Sequence, residues 1–235
     1  MKIMVIAPGR FSSEEIEFRK NYLKFYASPG TEIEVVPIKK GPESVTSPED
    51  SLRLAPGIVE RVIEAEENKF DAAMIHCFGD PGRDLARSKV NIPVVGACEA
   101  TFHTACMLAK KFGIVGRTEY IRETIQRVIS GVPGVAEKIV YFKAISPGIP
   151  VLELKKRKDE LKEKFIALGK EAIEKNGAEL IIGGCLAMFP ILGRGSREDM
   201  EEKLGVPVLD GSAIGFKTAE LLAGLRLRHN RLGFQ

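Results

Sequence analysis

The sequence predicts an α/β protein built from two related halves, each a parallel sheet flanked by helices. Three observations carry that reading. Short apolar runs alternate with helical stretches from residue 2 to residue 97, and the same alternation starts again after it. Landmarks also repeat at a near-constant offset: Cys77 and Cys185 lie 108 residues apart, Val5 and Ile114 lie 109 apart, and Pro93–Gly96 answers Pro207–Asp210 at 114. Both cysteines stand where a strand stops and a turn begins. In open α/β sheets ligands bind beyond the carboxyl ends of the strands, so chemistry is expected there.

Lys2–Ala7 reads as the first strand, and Pro8-Gly9 turns the chain. Ser12-Ser13-Glu14-Glu15 is a capping-box start for a helix to about Ala27. Thr31–Ile38 is the second strand, and Lys39–Pro48 is a polar loop long enough to reach over a site. A short helix follows, and Pro56 fits the first turn of another running to Asn68. Ala72–Ile75 is a buried strand, bounded by Asp71 and by the turn Phe78-Gly79-Asp80-Pro81-Gly82. A helix at Arg83–Lys89 and a strand at Ile92–Gly96 complete the first half.

In the second half Cys98–Lys111 is helical in period, and Phe112–Gly116 is a buried strand. Thr118 caps a helix to Ser130, Lys138–Ile145 is a strand, and Ser146–Pro150 a turn. Val151–Asn176 is a long charged helix closed by Gly177. A strand before Cys185, a helix at Ser196–Leu204, a strand at Val206–Leu209 and a last helix from Ser212 follow. That helix is expected to pack back on the first half, giving halves of 1–97 with 209–235 and of 98–208.

Composition narrows the function class. The 235 residues are 44% hydrophobic and 29% charged, with a net charge of +3 spread along the chain, which gives no case for nucleic-acid or membrane binding. Cys77, Cys98, Cys106 and Cys185 show no disulfide-framework spacing, and reduced thiols in a cytoplasm are expected. The N-terminal apolar run is too short for a signal peptide. No phosphate loop, dinucleotide fingerprint or metal-ligand spacing is present, so neither cofactor nor metal is expected. Cys98, His103 and Cys106 read as helix positions and not as ligands.

A free cysteine at a strand end is by default a small buried hydrophobe. Two at matching points of a repeat suggest more. Racemisation of a carbon acid needs one group to take a proton from one face and another to return one to the opposite face. Cysteine suits this once its pKa falls from ~8.5 toward neutrality. The N–H-rich turns after the cysteines, with Phe78, Gly79 and Asp80 in one and Leu186 in the other, favour a thiolate and an enolate oxygen. Gly183 and Gly184 would let a substrate approach the backbone beside Cys185. The amides of Glu99, Ala100 and Thr101, at a helix start, are candidates for an anion. Ser44 and Ser47 could hydrogen-bond substrate from the loop or serve the turn itself. Asp80 reads first as a cap for the following helix. His76, one residue before Cys77, points to the opposite strand face.

These residues resemble the cofactor-independent aspartate/glutamate/hydantoin racemases, most closely the hydantoin or allantoin branch. The resemblance rests on GPESVTS at 41–47, LAPGIVE at 54–60, CFGDPG at 77–82, PVVGACEATFH at 93–103, KFGIVG at 111–116, GAELIIGGCLAM at 177–188, GVPVLDG at 205–211 and GLRLRHN at 224–230. It implies two pseudo-symmetric flavodoxin-like halves, each a four-stranded parallel sheet flanked by helices, with the active site in the cleft between them. It carries over Cys77 and Cys185 as the two acid/bases, a small-molecule substrate and a homo-oligomer. The family's Asn-Pro-Asn turn after the first strand is replaced here by Ala7-Pro8-Gly9-Arg10, so Pro8 and Gly9 take the positions expected to meet substrate. A 5-substituted hydantoin and an amino-acid-like carboxylate therefore both stay open. So do a maleate-type cis–trans isomerase working through a cysteine nucleophile and a binding protein without catalysis.

Overall fold

The strands form where the apolar runs predicted them. A computed structural model of the chain describes residues 1–45, 47–145 and 151–234; Thr46 and the expected turn at 146–150 lie outside them. The chain divides into two units, Met1–Ala97 with Ala213–Gln235, and Cys98–Ser212. No helix among the described residues is long and apolar enough to cross a membrane.

The first unit runs β1 (Lys2–Ala7), α1 (Ser13–Lys24), β2 (Glu32–Pro37), α2 (Pro48–Glu67), β3 (Ala72–Ile75), α3 (Arg83–Lys89) and β4 (Val94–Gly96). Its strands lie in the order β2-β1-β3-β4, every neighbour parallel. All of β3 and the last five residues of β1 are buried, as strands covered on both faces must be. Leu54, Ile58 and Val62 of α2 pack with Met4, Ile6, Ala73 and Ile75 in one apolar cluster.

A helix α4 (Ala97–Leu108) opens the second unit, followed by β5 (Phe112–Gly116), α5 (Ile121–Ser130), β6 (Ile139–Ala144), α6 (Val151–Leu154), α7 (Lys158–Asn176), β7 (Leu180–Gly184), α8 (Met188–Leu192), α9 (Ser196–Leu204) and β8 (Val208–Leu209). The order β6-β5-β7-β8 repeats that of the first sheet strand for strand. Phe165 of α7 and Phe189 of α8 meet edge to face, with centroids 6.0 Å apart, inside this unit. A last helix, α10 (Gly211–Gly224), starts in the second unit and ends in the first. There its Glu220 accepts the backbone N–H and the hydroxyl of Ser28 at 2.9 and 3.0 Å.

The register makes the repeat quantitative. Met74 stands between Val5 and Val95 in the first sheet, and Ile182 stands between Ile114 and Leu209 in the second. Those positions are 109, 108 and 114 residues apart, the offsets seen between the sequence landmarks.

Four details differ from expectation. Pro56 lies inside α2 and does not start a second helix. Ser47 and Asp50 form a full capping box with Pro48 in the first turn, so the helix starts eight residues before Pro56. Leu54, Ile58, Val62 and Ala65, all fully buried, keep one apolar stripe running through the proline. The long charged helix is interrupted by a 3₁₀ turn at Lys155–Arg157. Thr118 does not cap α5, whose N-cap is Tyr120 with no side-chain bond. Leu209 pairs with Ile182 in the second sheet, and the chain leaves that unit only after Ser212, three residues later.

Candidate active site

In the first unit the site is built at the carboxyl edge of β1 and β3. Ile6 pairs with Ile75, and the His76 N–H donates to the Ile6 carbonyl at 2.9 Å, so Cys77 emerges just past the sheet beside Pro8. The turn that follows is tight. The Asp80 N–H reaches the Cys77 carbonyl at 3.2 Å, and the Arg83 N–H reaches the Asp80 carbonyl at 3.2 Å. Asp80 takes a φ of 44°, a region that aspartate tolerates better than most side chains. Cys77 is half-buried, Phe78 is buried, and Gly79 is partly open.

The Asp80 carboxylate is not the cap of α3, whose N-cap is Gly82 with no side-chain bond. It is almost completely buried and pairs with the Arg83 guanidinium at 3.5 Å. It also fills the space above Gly96, where a Cβ would run into it. Arg83 in turn holds Asp84 through Nε at 2.8 Å.

His76 is buried, and burial first, then the charge of Arg19, pushes its pKa down to about 3. It is a neutral imidazole at physiological pH and lends no positive charge to the neighbouring thiol.

The turn after β1 is fixed by backbone. The Gly9 N–H bonds the Ala7 carbonyl at 3.0 Å, and a Cβ on Gly9 would collide with the Glu43 carbonyl. That close approach lays the 39–45 segment against the turn and brings half-buried Ser44, the residue after Glu43, to the same edge. Arg10, the cation added by the unusual turn, pairs on the surface with Glu43 at 3.4 Å. The Ser47 hydroxyl accepts the Asp50 N–H at 3.1 Å and so serves the start of α2.

In the second unit the corresponding edge carries Cys185. Gly116 pairs with Gly184, so Cys185 emerges beside Arg117, and the Met188 N–H closes a turn onto the Cys185 carbonyl at 3.0 Å. Gly183 and Gly184 are consumed by packing, because side chains there would meet the Phe189 ring and the Gly116 backbone. Leu186 is buried, and its carbonyl accepts the Ser212 hydroxyl at 2.7 Å; the Ser212 N–H donates to Asp210 at 2.8 Å. Neither Asp210 nor Ser212 stood out in the sequence, since their role depends on which strands are neighbours.

Thr118 follows Arg117 at this edge, and its buried Oγ1 has no hydrogen-bond partner. A cap reading of the sequence hid it. Ala100 and Thr101 are buried on α4. The helix starts at Ala97, so the Ala100 amide is the last of the first four that a helix leaves unbonded, and that of Thr101 falls beyond them. Among the described residues no group of three or more His, Cys, Asp or Glu could hold a metal ion.

The geometry thus presents one half-buried thiol just past the end of the third strand of each sheet, on a turn closed by a backbone hydrogen bond to the cysteine's own carbonyl. Comparison with known proteins places the chain in a family. The Asp/Glu/hydantoin racemase family model matches residues 15–219. A hydantoin racemase of a Pseudomonas species is 32% identical over 234 residues, covering 99% of this chain and 90% of the relative. An allantoin racemase from Klebsiella pneumoniae has a solved structure that superposes with a TM-score of 0.87 at 30% identity, covering 100% of this chain and 93% of that one. A maleate isomerase from Pseudomonas putida shares the fold at a TM-score of 0.68 and 13% identity, covering 96% of this chain and 93% of its own.

Proposed function

This chain belongs to the Asp/Glu/hydantoin racemase family, and on that premise we propose that it racemises a small carbon acid by proton transfer through Cys77 and Cys185, with no cofactor. The substrate class is a 5-substituted hydantoin or an amino-acid-like compound. The observation that carries the reading is the occurrence of one thiol at the same register position of two sheets with the same strand order.

One cysteine works as thiolate and removes the proton next to the substrate carbonyl. The electron pair moves into the carbonyl, and the enolate oxygen takes hydrogen bonds from turn amides such as those of Phe78–Gly79 and Leu186–Ala187. The other cysteine, as thiol, delivers its proton to the opposite face of the carbon and becomes the thiolate for the reverse direction. A hydantoin eases the step, because its carbon acid is flanked by a carbonyl and a ring nitrogen that keeps the group planar. The buried, unpartnered hydroxyl of Thr118 can take a further substrate oxygen or nitrogen. Free thiols suit a reducing compartment, as the cytoplasm is.

The test is proton exchange in D₂O, with single enantiomers of hydantoins and amino acids and with wild type, Cys77→Ser and Cys185→Ser. Wild type should exchange deuterium and lose optical activity together. Each variant should lose racemisation yet still exchange one enantiomer, a different one for each. Full racemisation by either variant would overturn the two-thiol reading. A mass-stable cysteine adduct with maleate, and exchange with none of the panel, would replace it with cis–trans isomerisation.

A further inference from the structure

The two halves place a buried carboxylate at the same point by opposite routes. In register, Gly96 at the end of β4 corresponds to Asp210 after β8, and Asp80 in the Cys77 turn corresponds to Met188 in the Cys185 turn. The first half lacks a side chain at 96 and fills that space with the Asp80 carboxylate, which reaches across from the cysteine turn. The second half has methionine in its turn, and residue 210 itself carries the carboxylate. Asp80 and Asp210 are 6% and 2% exposed, far below ordinary aspartates, so each is held by its surroundings and not by water.

Each carboxylate is tied to the turn that bears a thiol. Asp80 is three residues from Cys77 and is anchored by Arg83 at 3.5 Å. Asp210 accepts the Ser212 N–H at 2.8 Å, and the Ser212 hydroxyl holds the Leu186 carbonyl, one residue after Cys185, at 2.7 Å. We propose that Asp80 and Asp210 are pseudo-equivalent positioning residues, each fixing the turn that carries one cysteine. This rests on the two-thiol reading above. It assigns Asp80 to positioning and not to substrate contact, and Ser212 becomes the intermediary in the second half.

The equilibrium constant between enantiomers is one, so kcat/KM must fall equally in both directions for any variant. The informative readout is the primary isotope effect with substrate deuterated at the reacting carbon. Slowing proton transfer at one thiol raises the effect in the direction where that thiol removes the deuteron. It lowers the effect toward unity in the other direction, where that thiol only donates. Asp80→Gly keeps the backbone unstrained at a φ of 44° and should reduce kcat roughly 10- to 100-fold, the loss expected from a small misplacement of a reacting group. Asp210→Asn and Ser212→Ala should reduce it similarly, with the directional pattern of isotope effects reversed.

A transposition provides the second arm. Asp80→Gly combined with Gly96→Asp returns a carboxylate beside Arg83 by the route the second half uses, and should recover at least about tenfold of the kcat lost in Asp80→Gly. The comparison needs only the double variant and Asp80→Gly, so a poorly folding Gly96→Asp single variant does not affect it. Rate losses without opposed isotope patterns would reduce both aspartates to general structural roles and overturn the proposal. So would a transposed variant no better than Asp80→Gly. If Cys77→Ser and Cys185→Ser leave racemisation intact, the two-thiol reading fails first and takes this one with it. If those variants behave as expected and the aspartate variants do not, only the positioning proposal fails.

Discussion

Replacing His76 with glutamine should remove a defined part of the protein's acid sensitivity. His76 is 3% exposed at the end of β3, and burial, aided by Arg19, pushes its pKa down to about 3 from 6.5. The folded chain keeps the imidazole neutral over a range where the unfolded chain protonates it. Because the folded value is the depressed one, the stability involved is complete above about pH 6.5 and is lost as the pH falls toward 3. At pH 5 the unfolded state gains about 2 kcal/mol from this single proton, and at pH 7.5 almost nothing. Urea unfolding of wild type and His76→Gln at both pH values isolates the difference, since other groups titrate alike in the two proteins. Wild type should lose about 2 kcal/mol more than the variant on going from pH 7.5 to pH 5. Equal losses would refute the assignment of a buried, neutral imidazole at this position.

Other substitutions test the local arguments. His229→Ala frees the Val94 N–H, now bonded to Nε2 at 2.7 Å, and should speed hydrogen exchange at Val94 while costing about 1 kcal/mol of stability. Ser47→Ala removes half of the α2 capping box and should lower the unfolding free energy by about 1 kcal/mol in urea titrations, with the wild-type m-value retained. Gly9→Ala forces the Glu43 carbonyl away from the β1 turn; racemisation assays should show a higher KM, with thermal stability lowered by a few degrees at most.

Much of the fold was legible because each strand is a short apolar run that ends at a polar or glycine-containing turn. Ala72–Ile75 and Phe112–Gly116 were placed to the residue for that reason. Pro56 misled because a proline suits a first turn on local grounds, whereas four buried side chains on one stripe hold α2 together across it. Thr118 misled in the same way, a good capping residue whose hydroxyl was left buried and unbonded. The two cysteines could be found from the repeat alone. The Ser212 contact to Leu186 could not, because it joins residues 26 apart and exists only once the strand order is known; the Arg83–Asp80 pair is local, but the space above Gly96 that the carboxylate fills belongs to a neighbouring strand.

The short β4 strand has a further consequence. As the outer strand of its sheet it would expose a backbone N–H and carbonyl at Val94, an invitation for another chain to add on. Here the N–H is taken by His229 and the carbonyl by Arg87 Nε at 3.0 Å. Arg231 in the same tail reaches the Ser88 carbonyl at 3.1 Å, and Phe234 lies beneath the Arg87 guanidinium. The C-terminal tail therefore works as a selvedge: it finishes the margin of the sheet with side chains, so that the strand cannot serve as a template for aggregation.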